Sequence, residues 1–577
     1  MKKKLLPALI VTGLIILVVI IMGITALINK YTPTKKTEDL KEYFNISSDD
    51  EVALIVNNEL SDYKAKIIDK KIYVDYKFVH DSLNSRFYWD ANENVLLYTT
   101  ASDIISAAAD SNSYSVTKQT NDFGYPIVKA TSDSALIALD YVKQYSNITF
   151  KSYDDPARIV ITSKWDEIDS ATVSNSTQIR VKGGIKSPIL KEVKKDDKIT
   201  ILDSGDKWDK VATEDGVIGY IKRKALSESK KTKLTNPDYE EETFTHIKKD
   251  KDICLAWNQV TSQSANSKVP QVISSTKGIN VMSPTWFYLN DNNGNLADIA
   301  SKDYVSYCHS QGIEVWGLFS NLENTDVDAA YVLTHTSTRT TLINQIMSAA
   351  FNYELDGVNI DFENITEAAY GDSYIEFIRE LSIKCHNNGI SLSVDVTVPA
   401  SFNKFFNRSD MAKFADYIVI MGYDEHYKGS DAGSVSSIPW VTEGVESTLK
   451  EVPADQIILG MPFYTRIWEL TPKEDDDAVT DTEDQSKYTV ASQVYSMDAA
   501  AAQLATNNAT AALDEKSGQN YAEWSASNKL YKVWLEDSTS LEKRLKLVDD
   551  NKLAGAAFWK LGFENSSVWD TVIKYLD

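Results

Sequence analysis

Asn359, Asp361 and Glu363 stand two residues apart in the run Leu355-Asp356-Gly357-Val358-Asn359-Ile360-Asp361-Phe362-Glu363-Asn364. Polar and apolar residues alternate there with period two, the pattern of a β-strand. Its polar side chains share one face while Val358, Ile360 and Phe362 point into an apolar layer. A half-buried surface strand alternates in the same way. Here, however, the apolar face is bulky and the polar face carries two carboxylates and an amide, with no Lys or Arg. Carboxylates held side by side raise one another's pKa, which is the tuning a general acid needs.

Such a strand needs a scaffold that fixes its neighbours. From His246 to the end, strand-like apolar runs alternate with helical stretches: 253–257, 279–282, 313–316, 357–362, 391–398, 417–421, 457–461 and 554–559. Eight strands with helices between them indicate a (β/α)8 barrel, with chemistry at the C-terminal strand ends. The span 246–577 exceeds the usual length of about 250 residues. An insertion at about 470–537 accounts for the excess. It contains an acidic loop (Glu474 to Asp477), an Ala-rich helix near Met497 to Thr506, and a hairpin-like pair ending in Lys532-Val533-Trp534-Leu535.

The Asp356–Glu363 run resembles the signature of glycoside hydrolase family 18, the chitinase-like family, which reads Asp-x-x-Asp-x-Asp-x-Glu on the fourth strand of a TIM barrel. Asp356, Asp361 and Glu363 match, and Asn359 departs from the pattern. Met421-Gly422-Tyr423-Asp424 matches the family's Met-x-Tyr-Asp motif, and Phe558-Trp559 stands where the family places a Trp beneath the sugar. The resemblance implies Glu363 as proton donor, Asp361 and Tyr423 on the substrate's 2-acetamido group, Asp424 on the sugar and Trp559 as the floor. Asp356, Asn359, Met421, Tyr464, Arg466 and Trp286 complete the expected substrate-binding set, with Asp395 and Thr397 as further cleft lining. The insertion is expected to wall one side of the cleft, as in many family members.

In this family the substrate's own acetamide serves as nucleophile. No cofactor or metal is expected. Asn359 removes one carboxylate beside Asp361, which is then expected to ionise more easily. The variant strand, with Met421 to His426 and Pro462 to Arg466, looks like the spore-cortex and cell-wall branch, whose members cleave N-acetylglucosaminyl bonds in peptidoglycan. A chitinase acting on chitin oligomers and a non-catalytic, lectin-like barrel remain as alternatives.

Ahead of the barrel, residues 1–37 hold Lys2-Lys3-Lys4 and an uncharged, mostly apolar run from Leu5 to Ile28, about 36 Å long as a helix, enough to cross a bilayer. An uncleaved anchor in the cell membrane is expected, with the bulk of the chain outside the cytoplasm at the cell wall. A cleavable signal peptide is the rival, with a weak site around Thr25-Ala26. Residues 38–166 read as a small α+β domain with a helix-like piece from Ala135 to Gln144. Phe87-Tyr88-Trp89-Asp90 and the following Ala91-Asn92-Glu93-Asn94 resemble the N-terminal module of copper amine oxidases, without copper ligands.

Residues 167–227 carry short strand runs split by turns such as Asp215-Gly216 and resemble a bacterial SH3 module, either a binder of cell-wall peptide or a spacer. Residues 228–245 read as a polar linker. The chain of 577 residues has 60 Lys plus Arg against 83 Asp plus Glu, a net charge of −23, which offers no basic surface to nucleic acid. Its three cysteines, Cys254, Cys308 and Cys385, are expected to be buried thiols, and no histidine pair has zinc-ligand spacing.

Overall fold

The computed structural model describes residues 5–363, 365, 368–473 and 484–576. Lys2 to Lys4 and the acidic loop Glu474 to Asp477 lie outside the described residues. The chain divides into two compact units. One comprises Met1–Trp89, Ala107–Tyr114 and Asn121–Glu241; the other comprises Asp90–Ser106, Ser115–Thr120 and Glu242–Asp577.

The first unit opens with the helix Leu5–Tyr31, whose side chains from Leu9 onward are exposed. Among the described residues it is the one helix long and apolar enough to cross a membrane. Two seven-stranded sheets follow. The first runs in the order Thr149–Tyr153, Arg158–Thr162, Glu51–Val56, Glu59–Ile68, Lys71–Asp75, Ala135–Ala138, Val128–Ala130. The second runs Ile189–Val193, Thr177–Arg180, Ile218–Lys222, Trp208–Thr213, Lys198–Asp203, Glu167–Thr172, Lys230–Lys233.

Two segments differ from what the sequence pattern suggests. Ala135–Ala138 is a strand paired on both sides, and the helix begins only at Leu139. Lys230–Lys233, read as linker, is an edge strand against Glu167–Thr172. All four of its residues are exposed, so no hydrophobic alternation marks it in the sequence.

The second unit is built on a closed parallel barrel. Its strands are β1 (Ile253–Asn258), β2 (Val281–Leu289), β3 (Glu314–Ser320), β4 (Gly357–Asp361), β5 (Ser391–Thr397), β6 (Tyr417–Met421), β7 (Ile457–Pro462) and β8 (Gly555–Trp559). Each pairs with the next, and β8 pairs with β1 to close the ring. Outward-facing Val358, Ile360 and Phe362 enter one large apolar layer with the helices. Inward-facing Ile253, Leu255, Trp316, Tyr417 and Ile458 form a second, interior cluster.

Trp316 stacks on Tyr417, with ring centroids 5.6 Å apart. A side chain at Gly357 would meet the Trp316 ring at 2.5 Å, so this first residue of β4 has to be glycine. The interior is thus apolar near the N-terminal strand ends and polar near the C-terminal ends, as this architecture requires.

Between β7 and β8 an antiparallel five-stranded sheet is inserted, with strands Tyr464–Pro472, Tyr488–Ser496, Ala512–Asp514, Gln519–Ala526 and Lys529–Leu535 and a helix Met497–Thr506. Its first strand follows β7 directly, earlier than Leu470. Residues from earlier in the chain also belong to this unit. The Asp90 carboxylate accepts from the Thr336 amide and hydroxyl, each at 2.6 Å, and the Thr99 hydroxyl donates to Glu376 at 2.7 Å. The three cysteines are free and buried.

Candidate active site

Asn359 and Asp361 are the inward-facing residues of the upper half of β4. In register, Asn359 lies beside Ser393 and Ile360 beside Val394 on β5, which places Asp361 and Asp395 next to one another on the same inward face. Asn359 is fully buried and all of its hydrogen-bonding capacity is used. Its Oδ1 accepts from Trp257 Nε1 and from the Ser283 hydroxyl, both at 3.0 Å. Its Nδ2 donates to the Ser393 hydroxyl at 3.0 Å and to Asp395 Oδ1 at 2.7 Å. Because the indole N–H can only donate, it fixes which end of the amide faces β1.

Asp361 is 9% exposed, and its Oδ1 has no hydrogen-bond partner among the described residues. Burial, first, and then the charges of Asp395, Glu363 and Glu323 push its carboxyl well above the usual range. Asn359 takes one carboxylate away from Asp361, and three others, Asp395, Glu363 and Glu323, remain to raise it. Asp395 is pushed up in the same direction, chiefly by burial. The hydrogen bond from Asn359 opposes the rise, and Glu363 adds to it.

Glu363 stands beyond the end of β4. Its backbone N–H donates to Asn321 Oδ1 at 3.1 Å, which ties the turn to the loop after β3. Solvent reaches its side chain, yet the surrounding protein is close enough that desolvation is the main cause of its raised carboxyl pKa, followed by Asp424 and Glu323. Glu323 is itself held by the Ser320 hydroxyl. A carboxyl so placed holds its proton to a higher pH than a free glutamate.

Tyr423 is half-buried, its ring edge-on to Trp257 at 6.5 Å and to Tyr464 at 6.3 Å. Burial and then the nearby Asp361, Glu363 and Asp395 raise its hydroxyl well above 10, so it is a protonated donor. No partner for it occurs among the described residues. Asp424 adopts φ +60° and leaves its carboxylate half exposed. It is held by the Tyr464 hydroxyl and lies 3.9 Å from Arg466 Nη2. Arg466 also donates to Ser492 of the inserted sheet at 3.1 Å. Met421 closes the end of β6, and Trp559, at the end of β8, stands edge-on to Trp257 at 6.0 Å.

Two expected residues lie elsewhere. Asp356 precedes β4, at the opposite end of the barrel from the cleft. Its carboxylate accepts from the Val315 amide and meets His309 Nε2, both at 2.8 Å. Trp286 is fully buried in the layer outside the barrel and donates to Asn266 at 2.8 Å. It shares the outward face of Met282 on β2, so it cannot line the interior.

Sequence reasoning missed Trp257, Ser393, Asn321 and Glu323 as site residues. Trp257 and Ser393 carry a signal of sorts, being polar-capable residues on the inward face of barrel strands. Asn321 and Glu323 lie in an irregular turn and carry none.

The cleft therefore unites a protonatable carboxyl at its rim, a buried carboxyl with one unpartnered oxygen, a protonated tyrosine hydroxyl and an indole at the wall. This set can protonate a leaving oxygen and orient a neutral amide.

Residues 319–564 match the family described as Glycosyl hydrolases family 18. An uncharacterized glycosylase, YvbX, of Bacillus subtilis is 24% identical over 301 residues, 49% of this chain and 81% of that protein. The cortical fragment-lytic enzyme of Bacillus subtilis is 25% identical over 287 residues, 48% of this chain and 63% of that one. The crystal structure of the Bacillus cereus spore cortex-lytic enzyme SleL aligns with a TM-score of 0.50 at 19% identity, covering 56% of this chain and 74% of that one, a likeness of fold. Barrel, motifs and family match coincide, and the C-terminal half of the chain carries a glycosyl hydrolases family 18 domain, that of a glycosidase related to spore cortex-lytic enzymes and chitinases.

Proposed function

We propose that the protein hydrolyses β-1,4 bonds of N-acetylglucosamine-containing glycan, with peptidoglycan as its substrate, while anchored to the membrane by the helix Leu5–Tyr31. One observation carries the reading: Asp361 Oδ1 and the Tyr423 hydroxyl, both without a partner among the described residues, stand among the same carboxylates as Glu363. An acetamide offers the complementary pair, an N–H for the carboxylate and an oxygen for the hydroxyl.

With the 2-acetamido group so held, its oxygen attacks the anomeric carbon as the glycosidic C–O bond breaks, and Glu363 gives its proton to the departing oxygen. Glu363, now a carboxylate, takes a proton from water, whose oxygen adds to the anomeric carbon and restores the acetamide. The net reaction consumes one water and retains configuration. Asp361 accepts from the acetamide N–H throughout. Asp361 and Asp395, both pushed up by burial, share a proton that two adjacent buried carboxylates cannot both release.

The preference for peptidoglycan is supported by the relative described as a cortical fragment-lytic enzyme. In chain order two small β-rich domains lie between helix and barrel and give the barrel reach into the wall, with the SH3-like one available to wall peptide. Digestion of purified peptidoglycan and of chitin oligomers, with products identified by mass spectrometry, tests the reading. Muropeptides cut at N-acetylglucosamine are expected; cleavage of chitin oligomers alone would reassign the substrate.

A further inference from the structure

The SH3-like sheet is joined to the apolar helix without slack. Lys186 Nζ donates to the carbonyl of Thr32 at 2.8 Å and to that of Asn29, inside the helix's last turn. The Thr34 amide donates to the Ile185 carbonyl at 2.8 Å, and Arg180 reaches the Thr34 carbonyl at 3.2 Å. Next, the Glu38 amide donates to the Ile189 carbonyl and the Ile189 amide to the Lys36 carbonyl, each at 2.8 Å, a parallel bridge of Thr37 to the same edge. A bilayer's apolar core takes up about 20 helical residues. With Leu5–Tyr31 taken as a spanning anchor and counted from Leu5, the apolar core would end near Thr25 and Asn29 to Tyr31 would lie at headgroup depth. Lys186 would lie there with them.

Around this contact the sheet presents a cavity of about 470 Å³ lined by Ile185, Asp206, Lys207, Trp208, Lys222, Arg223 and Lys224. Lys207, Arg223 and Lys224 are exposed, and Lys222 lies over the Trp208 ring, 5.9 Å from its centroid. Arg223 donates to the Gly205 carbonyl at 3.0 Å. None of these four cations has a carboxylate partner among the described residues, and Asp206 is the single acid in the lining. On a chain of net charge −23, such a concentration of unpaired cations around an indole is not the average surface. Basic side chains beside a tryptophan at the end of a spanning helix are the composition of a membrane interface.

We propose that this face of the SH3-like domain is a contact surface for anionic phospholipid headgroups. Lys186, Lys207, Lys222, Arg223 and Lys224 meet the phosphates, and Trp208 sits at the interface beside the helix exit. The proposal rests on the reading of Leu5–Tyr31 as a membrane-spanning anchor. The contact would fix the tilt of the first domains against the bilayer and make it depend on lipid charge and on salt.

The full-length protein, reconstituted in nanodiscs of phosphatidylcholine alone or with phosphatidylglycerol, provides the test by amide hydrogen exchange. Segments 180–187, 205–209 and 221–225 are expected to exchange about fivefold more slowly in the anionic discs. The gain is expected to vanish in high salt and in the variant K222E/R223E/K224E, while exchange at the core strand Trp208–Thr213 beyond Asp209 stays unchanged. Failure to enter either disc would remove the anchor itself. Entry with the same exchange in both lipids would leave the anchor standing and overturn the headgroup contact. Equal protection in neutral discs on adding inorganic polyphosphate would overturn it in favour of a soluble polyanion.

Discussion

Asn359 Nδ2 donates to Asp395 Oδ1 at 2.7 Å, joining β4 to β5 inside the barrel. An amide suits this position better than the carboxylate of the family pattern. Its oxygen faces two donors, Trp257 Nε1 and the Ser283 hydroxyl, and its nitrogen faces two acceptors. The acidic pair of this barrel therefore runs across the strands, from Asp361 to Asp395.

Asn359→Asp would set a third buried carboxyl against Asp395. Its folded pKa is expected above its unfolded value of about 4, so the variant should come nearest to the wild type in stability at acid pH, short by the one hydrogen bond that a protonated carboxyl cannot donate. It should lose stability as pH rises from there toward the raised folded value, reaching a deficit of about 2 kcal/mol or more at neutral pH. Thermal unfolding of both proteins across this pH range measures it. A deficit independent of pH would point to packing rather than charge.

Glu323→Gln removes one of the charges that raise Glu363. A general acid must be protonated, and a lowered pKa leaves less acid form at neutral pH. The alkaline limb of the kcat/KM profile is expected to move toward lower pH, with a severalfold loss at mildly alkaline pH and little change at mildly acidic pH. A uniform loss at all pH values would assign Glu323 to substrate contact.

Asp356→Ala separates the signature from the site. It strips the Val315 amide of its acceptor and His309 of its partner, far from the cleft. Stability should fall by about 1–3 kcal/mol, read by urea unfolding, with kcat/KM of the folded enzyme unchanged. A large drop in kcat/KM at full folding would return Asp356 to the substrate-binding set.

The eight barrel strands were legible because buried parallel strands are short apolar runs between helical stretches, and β4 in addition alternates. The run 357–362 and the observed Gly357–Asp361 differ by one residue. Tyr423, Asp424 and Trp559 were legible from motifs at strand ends. Trp286 misled because nearness to a strand's C-terminal end was weighed without its parity, and β2 continues to Leu289 through an irregularity between Thr285 and Phe287.

The Trp257–Asn359–Asp395 chain joins residues 102 and 36 positions apart. It exists only once the ring has closed in register, so no local pattern could reveal it. The edge strand Lys230–Lys233 is polar throughout and was invisible for that reason.

Glu363 is proposed as the acid of a glycosidase acting on N-acetylglucosaminyl bonds. Release of reducing ends from purified peptidoglycan by wild type and by Glu363→Gln, at matched thermal stability, tests it most directly. Release by the wild type and a loss of at least about 100-fold in the variant are expected, the scale of a missing general acid. Wild-type-like release by Glu363→Gln would contradict it.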